Sequence, residues 1–231
     1  MVTKAAAQKN VDDQVLRIDG RQRLSAEQVA AVAAFCDSVE DRAEQTRGIV
    51  HVSGAPVGQP RPGDLTVALV SKWERALRRL ERLPAATIAI ADGDCGGLAL
   101  EALLATDYRI ATASVCLTVP VEDGATWPGM ALYRLAQRGP NAAVIRRAVL
   151  FGTPVEAADA LALNLVDELA DDVATALALA RERAGAISGS ELAIRRQLMI
   201  DAPTTSFDDA LGVHLAACDR ALRRAAGEVT S

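Results

Sequence analysis

An α/β core followed by a helical C-terminal portion is the fold class that the sequence predicts, on three observations. β-Branched runs such as "GIVHVS" (residues 48–53) and "TIAIA" (87–91) alternate with helix-like stretches in the first half of the chain. Helical patterning dominates the second half, with a composition break near residue 185. Half of the 231 residues are apolar but only 3% are aromatic, which predicts a core of small aliphatic side chains on closely packed helices. A chain of this length buries a substantial core in one main domain. A loose, polar arm (1–13), an α/β core (14–185) and a helical C-terminal portion (186–231) are expected.

Taken in order, Val15 to Asp19 alternates like a short strand. Ser25 with Gln28 three residues later is a capping box for a helix to about Glu44. The strand at 48–53 leads into "GAPVGQPRPGD" (54–64), whose three prolines and three glycines exclude regular structure and mark an exposed loop or the approach to a site. Leu65 to about Leu83 resumes a helical period through Trp73, Leu77 and Leu80, and Pro84 stops it. "TIAIA" then reads as a buried strand that delivers the chain into "DGDCGGLALEALLATDYRIA" (92–111), which holds a glycine turn, a helix to about Ala105 and a strand from Tyr108. Residues 114–128 read as irregular, and a capping box from Thr153 to Glu156 starts a helix ending near Asn164.

Composition excludes several classes of function. A net charge of −5 supplies no global positive field for nucleic acid, and arginine clusters such as Arg75, Arg78 and Arg79 have the spacing of solvated helix faces. No apolar run approaches a membrane span and the N-terminus lacks the form of a signal peptide, so a cytoplasmic protein is expected. Four dispersed cysteines and two histidines indicate neither a disulfide framework nor a metal site.

The glycine stretch carries the chemistry. Strand, turn and helix in succession aim backbone N–H groups at whatever lies in front of the helix, which makes an anion or oxyanion site. Gly93, Gly96 and Gly97 fit neither phosphate-loop pattern. Glu101 stands in a run that is apolar on all sides, so it is predicted buried, where an unpaired carboxylate is costly and its pKa rises. Two readings stay open: a general acid–base beside a set of N–H donors, or a glutamate paired with an arginine such as Arg109 or Arg134. Cys95 reads either as a small cysteine packed at a turn or as a nucleophile, although no nucleophile-elbow pattern surrounds it. His51 falls in a core strand and His214 on the polar side of the last helix.

The ordered set "RGIVHVSGAPVGQPRPGDL", "IAIADGDCGGLALEALLATDYRIATASVCLTVPVEDGATWPG" and "LFGTPVEAADALALNLVDEL" resembles the crotonase, or enoyl-CoA hydratase/isomerase, superfamily over about residues 15–225. The resemblance implies a crotonase-like spiral of β-β-α turns with a helical C-terminal trimerisation portion, trimers or hexamers, and acyl-CoA thioester substrates. Coenzyme A then enters as part of the substrate, and no separate cofactor is implied. The family's "AGADL" matches "RPGDL", which carries the first oxyanion donor to the Gly63 N–H. The family's "NG-x-x-x-GGG-x-E-L" matches "DGDCGGLALEA" without a gap, which puts the second donor at Leu98, beside Gly97, and the first of two family glutamates at Glu101.

The second family glutamate falls on Val121, with Glu122 next to it as a possible substitute after a one-residue shift. Trp127 matches the border of the acyl pocket, or is an interface or core tryptophan. Arg21 and Arg61 are the cations expected near the CoA phosphates. The family's closing segment "EG-x-x-AF-x-x-KR-x-P-x-F" has no match after "DRALRRAAGEVTS". Within the superfamily the chain is most similar to the DpgB-type, hydratase-like subfamily of the 3,5-dihydroxyphenylglycine pathway. That likeness implies a lyase that eliminates water from a 3-hydroxyacyl-CoA and aromatises a polyketide-derived cyclic acyl-CoA to 3,5-dihydroxyphenylacetyl-CoA. The alternative is a catalytically weak acyl-CoA-binding subunit that supports a partner polyketide synthase or related hydratase.

Overall fold

The computed structural model describes residues 13–42, 46–56, 65–122, 124–138, 142–185 and 189–229, with Glu122, Arg138 and 225–229 described by backbone alone. The elements run β1 (Gln14–Asp19), α1 (Ala26–Glu40), β2 (Gly48–Gly54), α2 (Val67–Leu80), β3 (Thr87–Gly96), α3 (Leu98–Leu104), β4 (Tyr108–Ala111), β5 (Cys116–Thr118), β6 (Val121–Glu122) and β7 (Ala125–Thr126). They continue with α4 (Met130–Arg138), α5 (Ala143–Phe151), β8 (Val155–Glu156), α6 (Ala157–Ala162), β9 (Glu168–Leu169), α7 (Val173–Gly185), α8 (Gly189–Asp201), a 3₁₀ turn (Ala202–Thr204) and α9 (Phe207–Val229).

The main sheet has the order β1-β2-β3-β4-β9, all parallel, with β5 beside the far end of β3 and β8 antiparallel to β5. Both faces are covered, as a parallel sheet requires. Strand alternation sends Val50, Val52, Ala89 and Ala91 into the core that contains α1, α2 and α3, while Ile49, Ile88, Ile90 and Ile110 meet Ala176 and Ala180 of α7 on the other face.

Local capping sets the starts of α1 and α2. Ser25 Oγ accepts from the Gln28 N–H at 3.3 Å, and Thr66 Oγ1 from the Leu69 N–H at 3.2 Å. The first helix ends at Glu40 rather than near Glu44, and the second at Leu80, one turn ahead of Pro84. The capping box expected at Thr153–Glu156 does not form. Val155 and Glu156 pair instead with Leu117 and Cys116, and α6 starts after them without a side-chain cap. A cap is worth about 1 kcal/mol, which burial of Val155 and its strand pairing outweigh. Residues 114–128, expected to be irregular, contain β5 and the β6–β7 hairpin.

The glycine stretch departs most from expectation. Instead of ending at Ala91, β3 runs on to Gly96: Ile88–Ala91 lie between β2 and β4, then a register shift at Ser53/Gly54 hands Asp94–Gly96 to β5. The three neighbouring strand ends meet backbone to backbone. The Gly20 N–H donates to Ser53 O at 2.8 Å, and a Cβ at Gly20 would overlap the carbonyl oxygens of Gly54 and Gly96.

Arg196 ties α8 to this core. Arg196 of α8 is buried, donates from Nε and Nη2 to the two oxygens of Asp107 at 2.6 Å each, and also reaches the carbonyls of Leu83 and Ala85. Asp107 in turn accepts from the Thr87 N–H and hydroxyl at 2.9 Å, so α8 is anchored at the start of β3. Because the strand ends leave no room for a methyl group at Gly20, Gly20→Ala is expected to destabilise the protein by about 3 kcal/mol, read from urea unfolding, whereas Gly212→Ala, in open space on α9, should not lower stability.

Candidate active site

The site begins where β3 ends. Gly97 has φ 53° and ψ −128°, a conformation that strongly favours glycine, and it reverses the chain into α3 in one residue. It lies against Pro56 and the Gly20 carbonyl, where an added Cβ would be 3.3 and 3.4 Å away. The N–H of Leu98 is the first donor of α3, ahead of the helical hydrogen-bond ladder that starts with the Glu101 N–H on Gly97 O at 3.1 Å.

All seven residues of α3 are buried, Glu101 among them at 5% exposure. Its carboxyl is held between two tryptophan regions. Trp73 of α2, itself buried, donates its indole Nε1–H to Oε2 at 2.6 Å. Oε1 faces the turn before α4, where a Cβ on Gly129 would lie 2.9 Å from it and 2.6 Å from Nε1 of Trp127. The arginine pairing that the sequence left open is not the one adopted. Arg109 binds Asp167, with Nε to Oδ2 at 2.9 Å, and Arg134 binds Glu81 at 2.6 Å and Glu74 at 3.1 Å.

Burial pushes the Glu101 carboxyl up to about 7, and the neighbouring Glu74 charge adds to this. The Trp73 hydrogen bond and the Arg134 charge act in the opposite direction and only partly offset it. Near neutrality the group therefore populates both its acid and its base forms, which suits a proton shuttle.

The remaining sequence-predicted residues divide. Gly63 and Arg61 lie outside the described residues; Pro56, the last described position before them, touches Gly97. Arg21 is exposed at the strand ends, its Cγ and Nε 3.0 and 3.2 Å from where a Cβ on Gly54 would sit. Trp127 is half-buried and its backbone N–H donates to Pro120 O at 3.1 Å. Val121 is 51% exposed, with Cγ2 packed against Gly152 at the end of α5. Glu122 pairs through its backbone with Ala125 in the hairpin, and its side chain lies outside the described set.

Cys95 is fully buried in β3 and burial raises its thiol pKa far above neutrality, the state of a packed cysteine rather than a nucleophile. His51 is half-buried, its pKa lowered by burial and by Arg17 and Arg181, and His214 is exposed. Among the described residues no His/Cys/Asp/Glu group could hold a metal ion, and no helix is long and apolar enough to cross a membrane. Two residues of the site are not marked as such in the sequence: Trp73 stands there as an apolar position of a helical period, and Gly129 as the last residue of the "ATWPG" stretch.

A raised carboxyl pKa has a stability consequence of definite sign. Between its ordinary value of 4.5 and about 7, Glu101 binds a proton in the folded state but not in the unfolded one. The stability from the protonated form is thus complete below pH 4.5 and is lost as pH rises through 7. Glu101→Gln, which keeps an oxygen for Trp73 but carries no charge, should match wild type in urea unfolding at pH 4 and exceed it by about 3 kcal/mol at pH 8.

No protein-family model matches the chain. An enoyl-CoA-hydratase of Amycolatopsis orientalis is 55% identical over 212 residues, which span 92% of this chain and 97% of that protein. The alpha subunit of a fatty acid oxidation complex of Aliivibrio fischeri is 34% identical over 100 residues, or 38% of this chain and 14% of that protein. Among solved structures, an enoyl-CoA hydratase/isomerase from Marinobacter aquaeolei shares the fold with a TM-score of 0.77 at 17% identity, over 91% of this chain and 88% of that one. An enoyl-CoA hydratase from Mycobacterium smegmatis does so with a TM-score of 0.77 at 15% identity, over 90% and 86%.

Proposed function

The chain belongs to the crotonase, or enoyl-CoA hydratase/isomerase, superfamily, and from that premise we propose that it is an acyl-CoA hydro-lyase that eliminates water from a 3-hydroxyacyl-CoA thioester. The observation that carries this reading is Glu101: a buried carboxyl, one oxygen held by Trp73 and a pKa pushed to about 7, three residues beyond the Leu98 N–H. A buried charge of this kind costs stability, and acid–base chemistry gives a reason to keep it.

In the proposed reaction the N–H groups of Gly63 and Leu98 stabilise negative charge on the thioester oxygen. Glu101, as carboxylate, takes the proton from the carbon next to the thioester, and the C–H electrons move into the enolate. The enolate collapses to the enoyl double bond as the C–O bond at carbon 3 breaks. Glu101, now the acid, returns its proton to the departing hydroxyl, which leaves as water. One carboxyl thus serves both transfers on the same face of the substrate, consistent with Val121 occupying the position of the second family glutamate. Gly97, Glu122 and Trp127 are assigned to the acyl pocket, and Arg21 and Arg61 to the CoA phosphates.

The finer assignment is aromatisation of a polyketide-derived cyclic acyl-CoA to 3,5-dihydroxyphenylacetyl-CoA. In that reaction the resonance energy of the product lowers the demand on the site, so a single carboxyl suffices. A homotrimer or hexamer is proposed as the assembly; Phe207, Leu211 and Leu222 of α9, exposed on a single chain, give it apolar surface to bury. Val121 also favours a second reading, a catalytically weak acyl-CoA-binding subunit that supports a partner polyketide synthase or related hydratase.

Single-turnover assays on cyclic and linear 3-hydroxyacyl-CoA thioesters separate the two. On the hydro-lyase reading wild type converts at least one of them and Glu101→Gln loses about a hundredfold or more in rate. Binding of these thioesters without conversion by either protein would leave the supporting-subunit reading in its place.

A further inference from the structure

We infer that Trp73 is a positioning residue: its indole N–H occupies Oε2 of Glu101, so that the carboxyl proton is carried and exchanged at Oε1 alone. Its importance for catalysis rests on the acid–base reading of Glu101 given above.

The geometry has three parts. First, both groups are buried, so neither the indole N–H nor Oε2 can turn to water for a substitute partner, and the 2.6 Å hydrogen bond is obligatory in the folded state. An indole N–H only donates, and it neither accepts a proton nor gives one up in this pH range. With Oε2 accepting from it, the proton of the carboxylic acid form resides on Oε1, and in the carboxylate form Oε1 is the oxygen open to receive one. Second, Oε1 faces a flank of the carboxyl built without a side chain, because a Cβ at Gly129 would stand 2.9 Å from it. The edge of Trp127 borders that gap. Third, the charged groups around the carboxyl leave the Trp73 bond as its direct anchor: Glu74 of α2 and Arg134 of α4 act on it through space, and Arg134 is committed to Glu74 and Glu81. The strands beneath α3 meet it with aliphatic side chains, including Ile18, Val50, Val52, Ala89 and Ala91.

A residue that merely filled space at position 73 would be replaceable by any ring of the same size. Trp73 is therefore replaced, at that codon alone, by 3-benzothienylalanine, which keeps the bicyclic shape and exchanges the N–H for sulfur; Trp73→Phe is the genetic companion. The titration of Glu101 is followed without substrate by ¹³C NMR of protein labelled at the glutamate side-chain carboxyl carbon, with Glu101→Gln to assign the signal. Because the N–H favours the charged form, its loss should raise the midpoint by about one pH unit in both variants. The pH profile of single turnover should move with it, and the rate should fall about tenfold with KM changed less than about twofold. A folded benzothienylalanine protein whose Glu101 midpoint equals that of wild type overturns the inference. The titration is read without turnover, so an inactive wild type, which defeats the hydro-lyase reading, leaves the positioning result to be judged separately.

Discussion

The close approach of three strand ends is the constraint on which the site of this protein is built. Gly20, just past β1, has the carbonyl oxygens of Gly54 in β2 and Gly96 in β3 where its side chain would otherwise stand, and Gly97 then turns the chain from sheet to helix within one residue. Only after such an approach can α3 lie against these strands, every one of its residues buried. The backbone N–H of Leu98 and the carboxyl of Glu101 are thereby placed on one short rigid element, one turn apart. A site built this way inherits its precision from packing rather than from loop conformation.

Burying a carboxyl in such an element is costly, and the molecule mitigates the cost without removing it. A salt bridge would have held Glu101 fully ionised. Arg134 is near enough to act on it, yet its guanidinium is taken by Glu74 and Glu81, so Glu101 has a neutral donor in Trp73 and a like charge nearby in Glu74. The balance of burial, one hydrogen bond and two opposed charges leaves the group near neutrality in pKa. Paired directly with arginine, the same residue would stay ionised near neutrality and have no proton to give.

The charged groups farther out serve a different purpose. Arg109 with Asp167 and Arg196 with Asp107 tie the edge of the sheet and the C-terminal helices to the core through buried guanidinium groups. Arg196 spans 89 residues of sequence to reach Asp107, which also receives the start of β3. Beyond that anchor α9 is mostly exposed, and Glu191 of α8 holds it through Arg220 and Arg224.

The alternation of strands and helices, the buried place of Glu101, the cap at Ser25 and the ordered motifs of the superfamily are all legible in the linear chain. They depend on periodicity, on local hydrogen bonds and on residue order, none of which needs a distant partner. Long-range packing settles the rest: β3 continues through the glycines, Val155–Glu156 pairs with β5 instead of capping a helix, and Glu101 takes Trp73 rather than an arginine as partner. Each of those outcomes is a competition between a local preference worth about 1 kcal/mol and contacts made by residues distant in the chain. Trp73 and Glu101 lie 28 positions apart on separate helices, and only the packing of α2 against the strand–turn–helix unit brings the indole N–H to the carboxylate.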